Sequence, residues 1–279
     1  YIILSILALI WLIPIVWIVL SAFRVQYTEG TFDGGMSSSY LPSGIGFKNF
    51  VDLFNMTYNN VDHAFLKWVG NTMLIAVCCC LISSFLVLSV AYCMSKLKFK
   101  MRKAFMNLTM ILGLFPGFMS MIAIYFLLKS IGLIANEEAP QLAIVGIIIA
   151  YSAGSGLGYQ VAKGFFDVIP NSLVESAKLD GCTNVGIFLR IVVPLSKPII
   201  STITVFVFNS TWNNFMGPFL YLKNPDLAPV ALRLYTAGTQ WTEPEQMLAA
   251  FIVMVPSVIV FMLCSKQIMG NNVSVGVKG

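Results

Sequence analysis

Six long apolar runs alternate with polar segments along the chain. The first covers residues 1–22, with Pro14 inside it, and a polar stretch rich in Gly, Ser, Asn and Asp follows over 24–67. The second covers 69–95 and ends against the basic cluster Lys96, Lys98, Lys100, Arg102 and Lys103. The third, 105–128, is interrupted by Pro116 and Gly117, and a short turn with Glu137 and Glu138 leads to the fourth, 140–161. The fifth is 199–221, and the sixth is 247–265 with Pro256 inside. Each run reaches the ~20 residues that an α-helix needs to cross the hydrocarbon core of a bilayer. The pattern predicts an all-α integral membrane protein with six transmembrane helices. It forms one domain over 1–279, with a polar loop at 162–198.

That loop has its own pattern. Glu175, Lys178, Asp180 and Arg190 make it polar, so it is the part expected to face water, where a soluble partner can reach it. Pro170 ends the preceding run, and Asn171 or Ser172 is placed to cap a new helix. Leu173, Ala177 and Val174 give this helix a narrow apolar side. Gly181 breaks it, and Ile187, Phe188 and Ile191 pattern a second short helix that stops before Pro194 and Pro198.

The same residues carry a family signature. Permease subunits of bacterial ABC importers have a cytoplasmic motif of Glu-Ala-Ala, three residues, Gly, nine residues, Ile, one residue, Leu and Pro. Glu175, Ala177, Gly181, Ile191 and Pro194 stand at those positions, with Ser176 at one Ala position and Val193 in place of Leu. The chain thus resembles the transmembrane subunit of such an importer. The likeness extends further. Asn71-Thr72 resembles the usual opening of the second span. Trp212-Asn213, Gly217-Pro218 and Tyr221-Leu222 are similar to a WN-x-x-x-GP-x-x-YL pattern of the maltose-type carbohydrate permeases. The terminal Gly276-Val277-Lys278-Gly279 is similar to that group's ending, which implies a natural C-terminus.

The resemblance implies a type I-like importer permease whose coupling helix docks on an ATPase. The implied coupling residues are Glu175, Ser176, Ala177, Leu179, Asp180, Gly181, Ile191 and Pro194. The implied partners are a second transmembrane permease, a cytoplasmic ATPase dimer and an extracytoplasmic sugar-binding protein. ATP and Mg would be bound by the ATPase subunits, and this chain would hold no cofactor. The location implied is the bacterial cell membrane, inner or plasma.

Composition agrees with the membrane class. Of 279 residues, 58% are hydrophobic and 10% charged, against ~25% charged in a soluble domain. The chain opens on Tyr1 and not Met, so its natural start is expected upstream. The first run lacks a small-residue cleavage site and reads as a span, not as a signal peptide. The cysteine triplet Cys78, Cys79 and Cys80 lies mid-run, where thiols behave as small apolar groups, and neither disulfides nor metal are expected. Gly154, Gly156 and Gly158 fall within the fourth run, where they read as helix-packing or bending positions, not as a nucleotide loop.

What the runs lack bears on the energy source. As bounded, they contain no Asp, Glu, Lys, Arg or His, whereas ion-coupled carriers keep ionisable groups at membrane depth. No GxxxxGK[ST] loop occurs and no catalytic constellation is in sight, so an enzyme is not expected. An uncharged path suits a sugar, which is held by hydroxyl and amide hydrogen bonds and by aromatic faces. Tyr125, Tyr151, Asn209, Trp212, Asn213 and Asn214 offer such groups, and each could equally serve helix packing. A maltodextrin-like oligosaccharide is the leading solute. A permease for another neutral solute, or a membrane scaffold docking a soluble partner, remains open.

Orientation follows from the basic residues. With the 96–103 cluster and the 162–198 loop inside, eleven of the 17 Lys and Arg lie inside and six outside, and nine of the 12 acids lie outside. Both termini are then cytoplasmic. Single cysteines placed at Asn59 and Asn184 are expected to react with impermeant thiol reagents from opposite sides of the membrane; labelling of both from one side would refute the topology.

Overall fold

The computed structural model describes residues 2–24, 42, 44–114, 116–153, 156–236 and 241–270. Gly154 and the terminal segment 276–279, both singled out above, lie outside the described residues. Among the described residues there is no strand, only the isolated bridges Arg24–Ile45 and Tyr58–Val61. The described chain is helical and divides into two compact units, Tyr1–Met73 with Asn214–Phe219 and Lys223–Val258, and Leu74–Asn213 with Leu220–Leu222 and Ile259–Gly279.

The first unit opens on α1 (Ile2–Ala22), which is apolar on every side and exposes most of its large side chains. Such a helix requires lipid or a partner around it. Asn49, in α2 (Lys48–Phe54), holds the exit of α1 by donating from Nδ2 to the carbonyls of Ala22 (3.0 Å) and Arg24 (2.9 Å). The unit's core is aromatic. Trp68 stacks on Trp241 with ring centroids 6.1 Å apart, and the Arg233 guanidinium lies 4.7 Å from the Tyr58 ring and 5.1 Å from that of Trp68. Arg233 belongs to the helix Val230–Thr236. Asn71 and Thr72 acquire a purpose here. Asn71 Nδ2 donates to the Asp226 carbonyl (2.9 Å), and the Val230 amide donates to Thr72 Oγ1 (2.8 Å), so the pair pins the segment before Val230 to the helix that carries it.

That helix, α3 (Ala64–Lys96), is 33 residues long and continues into the second unit. There it is followed by α4 (Arg102–Gly113) and α5 (Gly117–Ser130), which together fill the third apolar run and part at Pro116 as the sequence predicts. Helix α5 ends on Gly132 at φ +75°, with amides of Gly132 and Leu133 returning to the carbonyls of Lys129 (3.1 Å) and Leu128 (3.0 Å). This pair of hydrogen bonds is the Schellman closure that a glycine in the left-handed region permits.

The fourth run is shorter than expected as one helix: α6 (Leu142–Ser152) has 11 residues and α7 (Gly156–Val168) begins after it. The polar loop that follows contributes three short helices, α8 (Asn171–Leu179), α9 (Asn184–Ile187) and α10 (Val193–Leu195). The fifth run also differs. Helix α11 (Lys197–Trp212) stops at Trp212, and α12 (Met216–Tyr221) starts anew. Two consecutive asparagines explain the break. Asn213 Nδ2 turns back to the Asn209 carbonyl (3.0 Å), and Asn214 Oδ1 accepts from the Gly217 amide (3.1 Å), so side chains replace the helical ladder. After α13 (Val230–Thr236), the sixth run is α14 (Glu243–Gly270), unbroken at Pro256. By length and composition, α1, α3 and α14 can each cross a membrane, and two bent helix pairs raise the count to five.

Helix α6 packs where glycine removes a side chain. A Cβ on the buried Gly146 would lie 3.2 Å from Ile134 Cγ2 and 3.5 Å from Leu133 Cβ. Gly146→Leu is therefore expected to cost about 1–3 kcal/mol through overpacking. A lowered thermal midpoint in detergent, with Gly146→Ala falling between that variant and the parent, would show it.

Candidate functional site

The polar loop folds as a helical hairpin. Helix α8 follows Pro170 and carries no side-chain cap at its start. This corrects the expectation that Asn171 or Ser172 caps it: Asn171 is the first helical residue, and its Oδ1 accepts from Lys96 Nζ (3.1 Å). The other end is closed as expected at Gly181, with φ +81°. The Gly181 amide donates to the Lys178 carbonyl (3.0 Å) and the Cys182 amide to that of Ala177 (2.9 Å), a second Schellman closure. Thr183 then caps α9, its Oγ1 accepting from the Gly186 amide at 3.1 Å.

Pro194 does not stop the second helix. A π-helical turn covers Phe188–Val192, and α10 carries the chain through the proline. Without an N–H, Pro194 cannot donate to the carbonyl of Arg190, and its ring crowds that carbonyl. Widening the turn to i→i+5 bonding accommodates both. The direction changes two residues later, where the axis through Leu195 meets α11 at 79°. Ser196, fully buried, sits at the bend and donates from Oγ to the Val192 carbonyl (2.5 Å).

The hairpin is built onto the core of its unit. Val174, Ala177, Ile187, Phe188 and Val192 pack with Val87, Leu88, Ala91 and Tyr92 of α3, with Ala162 and Phe166 of α7 and with Ile199 and Ile203 of α11. Tyr92 lies 5.1 Å from the Phe188 ring and donates its hydroxyl to the Asn184 carbonyl (3.2 Å). Ala177 is thus a packing residue, and Ile191 is partly buried against the same core. Leu173, expected on the apolar side, is exposed. Glu175, Ser176, Asp180, Gly181 and Pro194 all face outward. Leu179, at the last turn of α8, is 90% exposed. Covering such a leucine is worth about 2 kcal/mol, more than the roughly 0–1 kcal/mol of an exposed ion pair made by Glu175.

Charges behind the hairpin are paired. The Asp167 carboxylate accepts from Ser95 Oγ (2.6 Å) and forms an ion pair with Lys163 Nζ (2.5 Å). Burial pushes this carboxyl up, but the bonds from Lys163 and Ser95 and the charges of Lys163 and Arg102 outweigh it and hold the group below its ordinary value.

The residues expected along a polar path are placed unevenly. Trp212 is fully buried with its indole stacked on Phe208, centroids 5.2 Å apart. Its face is occupied by packing. Tyr125 stacks on Tyr221, centroids 6.5 Å apart, and the Tyr221 hydroxyl donates to the Met121 carbonyl (3.1 Å). The Tyr151 hydroxyl is buried without a hydrogen-bond partner among the described residues. Asn209 is partly buried, Asn213 is exposed, and Asn214 belongs to the other unit.

Residues 88–272 match the family described as the binding-protein-dependent transport system inner membrane component. The chain belongs to this family. It is 25% identical to the galactooligosaccharides transport system permease protein GanQ of Bacillus subtilis (strain 168), over 100% of this chain and 94% of that protein. It is 27% identical to the maltose/maltodextrin transport system permease protein MalG of Vibrio vulnificus (strain YJ016), over 95% of this chain and 90% of that one. A crystal structure of a bacterial ABC transporter involved in the import of the acidic polysaccharide alginate shares the fold, with a TM-score of 0.77 at 22% identity, covering 95% of this chain and 93% of the other. The permease is accordingly a multi-pass membrane component of a transport system.

Gly181 supports a test of the hairpin. No atom lies within 4 Å of the place a Cβ would take on this residue, so a substitution costs backbone strain alone, about 1–3 kcal/mol. If an ATPase subunit docks on this hairpin, Gly181→Val and Leu179→Asp are both expected to leave the permease inserted and to release that subunit on co-purification. Gly181→Asn, which tolerates positive φ better, is expected to retain it. Full retention in both of the first two variants would make the hairpin an ordinary loop.

Proposed function

We propose that this permease is the transmembrane subunit of an ATP-driven importer of oligosaccharides. A separate cytoplasmic ATPase dimer docks on the α8–α9 hairpin and hydrolyses ATP with Mg. The permease has no ATPase site of its own, holds no cofactor, and is not an enzyme. It pairs with a second transmembrane permease and receives its solute from an extracytoplasmic sugar-binding protein. Both termini lie in the cytoplasm, as the excess of basic residues in the 96–103 and 162–198 segments favours.

The observation that carries this reading is the hairpin itself. Its inner face is fastened into the helical core by Val174, Ala177, Ile187 and Phe188, while Leu179 and Glu175 are left outward. A loop serving only as a connection gains nothing from an exposed leucine at a glycine-closed helix end. The coupling role comes from Glu175, Ser176, Leu179, Asp180 and Gly181 at the surface, with Ala177, Ile191 and Pro194 shaping the backbone beneath.

A sugar is favoured by the uncharged helices and by the names of the relatives, one a galactooligosaccharide and one a maltodextrin permease. Tyr125, Tyr151, Asn209, Asn213 and Asn214 are the proposed path, with Trp212 supporting it from within the packing. A maltodextrin-like solute is our choice among sugars. In vesicles holding the permease with its co-encoded partners, labelled maltodextrins and galactooligosaccharides are to be compared with an amino acid. ATP-dependent uptake of an oligosaccharide, lost in Tyr151→Ala but not in Tyr151→Phe if only the ring is needed, is the expected result. Uptake of none of the sugars, or of the amino acid instead, would point to another solute or to a scaffold.

A further inference from the structure

Two consecutive residues at the end of α3 grip the segment that leads into the docking helix. Ser95 Oγ donates to Asp167 near the end of α7. Lys96 Nζ donates to the carbonyl of Ile169 (2.6 Å) and to Asn171 Oδ1 (3.1 Å). The first acceptor is one of the carbonyls that a helix end leaves without an intrahelical partner. The second is the side chain of the first residue of α8, whose start has no side-chain cap. One ammonium therefore bridges the end of α7 and the first turn of α8.

The bridge adds to what packing provides. Val174 and Ala177 hold one face of α8 against the core, and Lys96 adds polar bonds at its first residue and just before it. A charged hydrogen bond at the N-terminal end, where Asn171 stands, and the Schellman closure at Gly181 hold the two ends. Burial lowers the Lys96 ammonium below its ordinary value, and the charge of Asp167, itself held by Lys163 and Ser95, opposes that shift in part. The donor belongs to a 33-residue helix long and apolar enough to cross a membrane.

We propose that Lys96 is a positioning residue for energy coupling: it ties the orientation of the docking helix α8 to α3, so that the two move together. The proposal rests on the importer reading above. A lysine whose only task is to hold α3 in the membrane would not need acceptors on both sides of Pro170.

The test uses the full-length permease in lipid nanodiscs with its sister permease and ATPase subunits. In Lys96→Met, amide exchange over 171–180 is expected to rise about tenfold while 74–94 and 197–212 keep their protection. Stimulation of ATP hydrolysis by the cognate binding protein is expected to fall about fivefold, with the ATPase still retained. Lys96→Arg, which preserves the charge and both donors, is expected to restore both readings. Unchanged exchange and stimulation in Lys96→Met, or an equal defect in Lys96→Arg, would overturn the proposal. If Lys96→Met fails to assemble, Asn171→Leu removes one acceptor only, and parental behaviour in that variant overturns it as well. A parental complex that the binding protein does not stimulate counts against the importer reading, and amide exchange then decides the tie alone.

Discussion

A backbone amide or carbonyl released where a helix ends or bends must find another partner, and within a bilayer no water is available to supply one. At several of the described helix ends and bends, a particular side chain or glycine takes over released bonds. At Gly132 and at Gly181, two amides return to the preceding helix. Asn213 and Asn214 replace the ladder between α11 and α12 with side-chain bonds. The π-helical turn at Phe188–Val192 absorbs Pro194, and buried Ser196 serves the sharp bend after it. These breaks are therefore determinate features, each with a partner for groups it frees.

The α8–α9 hairpin is likewise held by contacts within its own unit. Phe188, Ile187 and Val192 fasten the second arm, Ala177 and Val174 the first, and Tyr92 bonds across to Asn184. The outward face then carries Leu179, 90% exposed, beside the charges of Glu175, Lys178 and Asp180.

Aromatic side chains divide by role in a way their residue types do not announce. Trp68, Trp241 and Trp212 are all buried, the first two stacked on one another and the third on Phe208. In the second unit Tyr125 and Tyr221 stack, and the Tyr151 hydroxyl is buried with no hydrogen-bond partner among the described residues.

The sequence alone was sufficient for the helical class, for the six apolar runs, for the break at Pro116 and for the hairpin closed at Gly181. Hydrophobic pattern, the proline at 116 and the glycine at 181 act locally, whereas Pro194 and Pro256 lie within helices that continue through them. The family, too, was legible from Glu175 to Pro194. Other features were settled only by contacts between distant residues. Asn171 gives up capping because Lys96, 75 positions earlier, claims its oxygen. Leu173 faces out and Ala177 in because α3, α7 and α11 decide which side of α8 is covered. Trp212 is packing because Phe208 and its surroundings enclose it, and Asn71 and Thr72 matter because the segment before α13 comes to lie beside them. Periodicity assigns a residue to a face of its own helix; only the tertiary fold determines what that face meets.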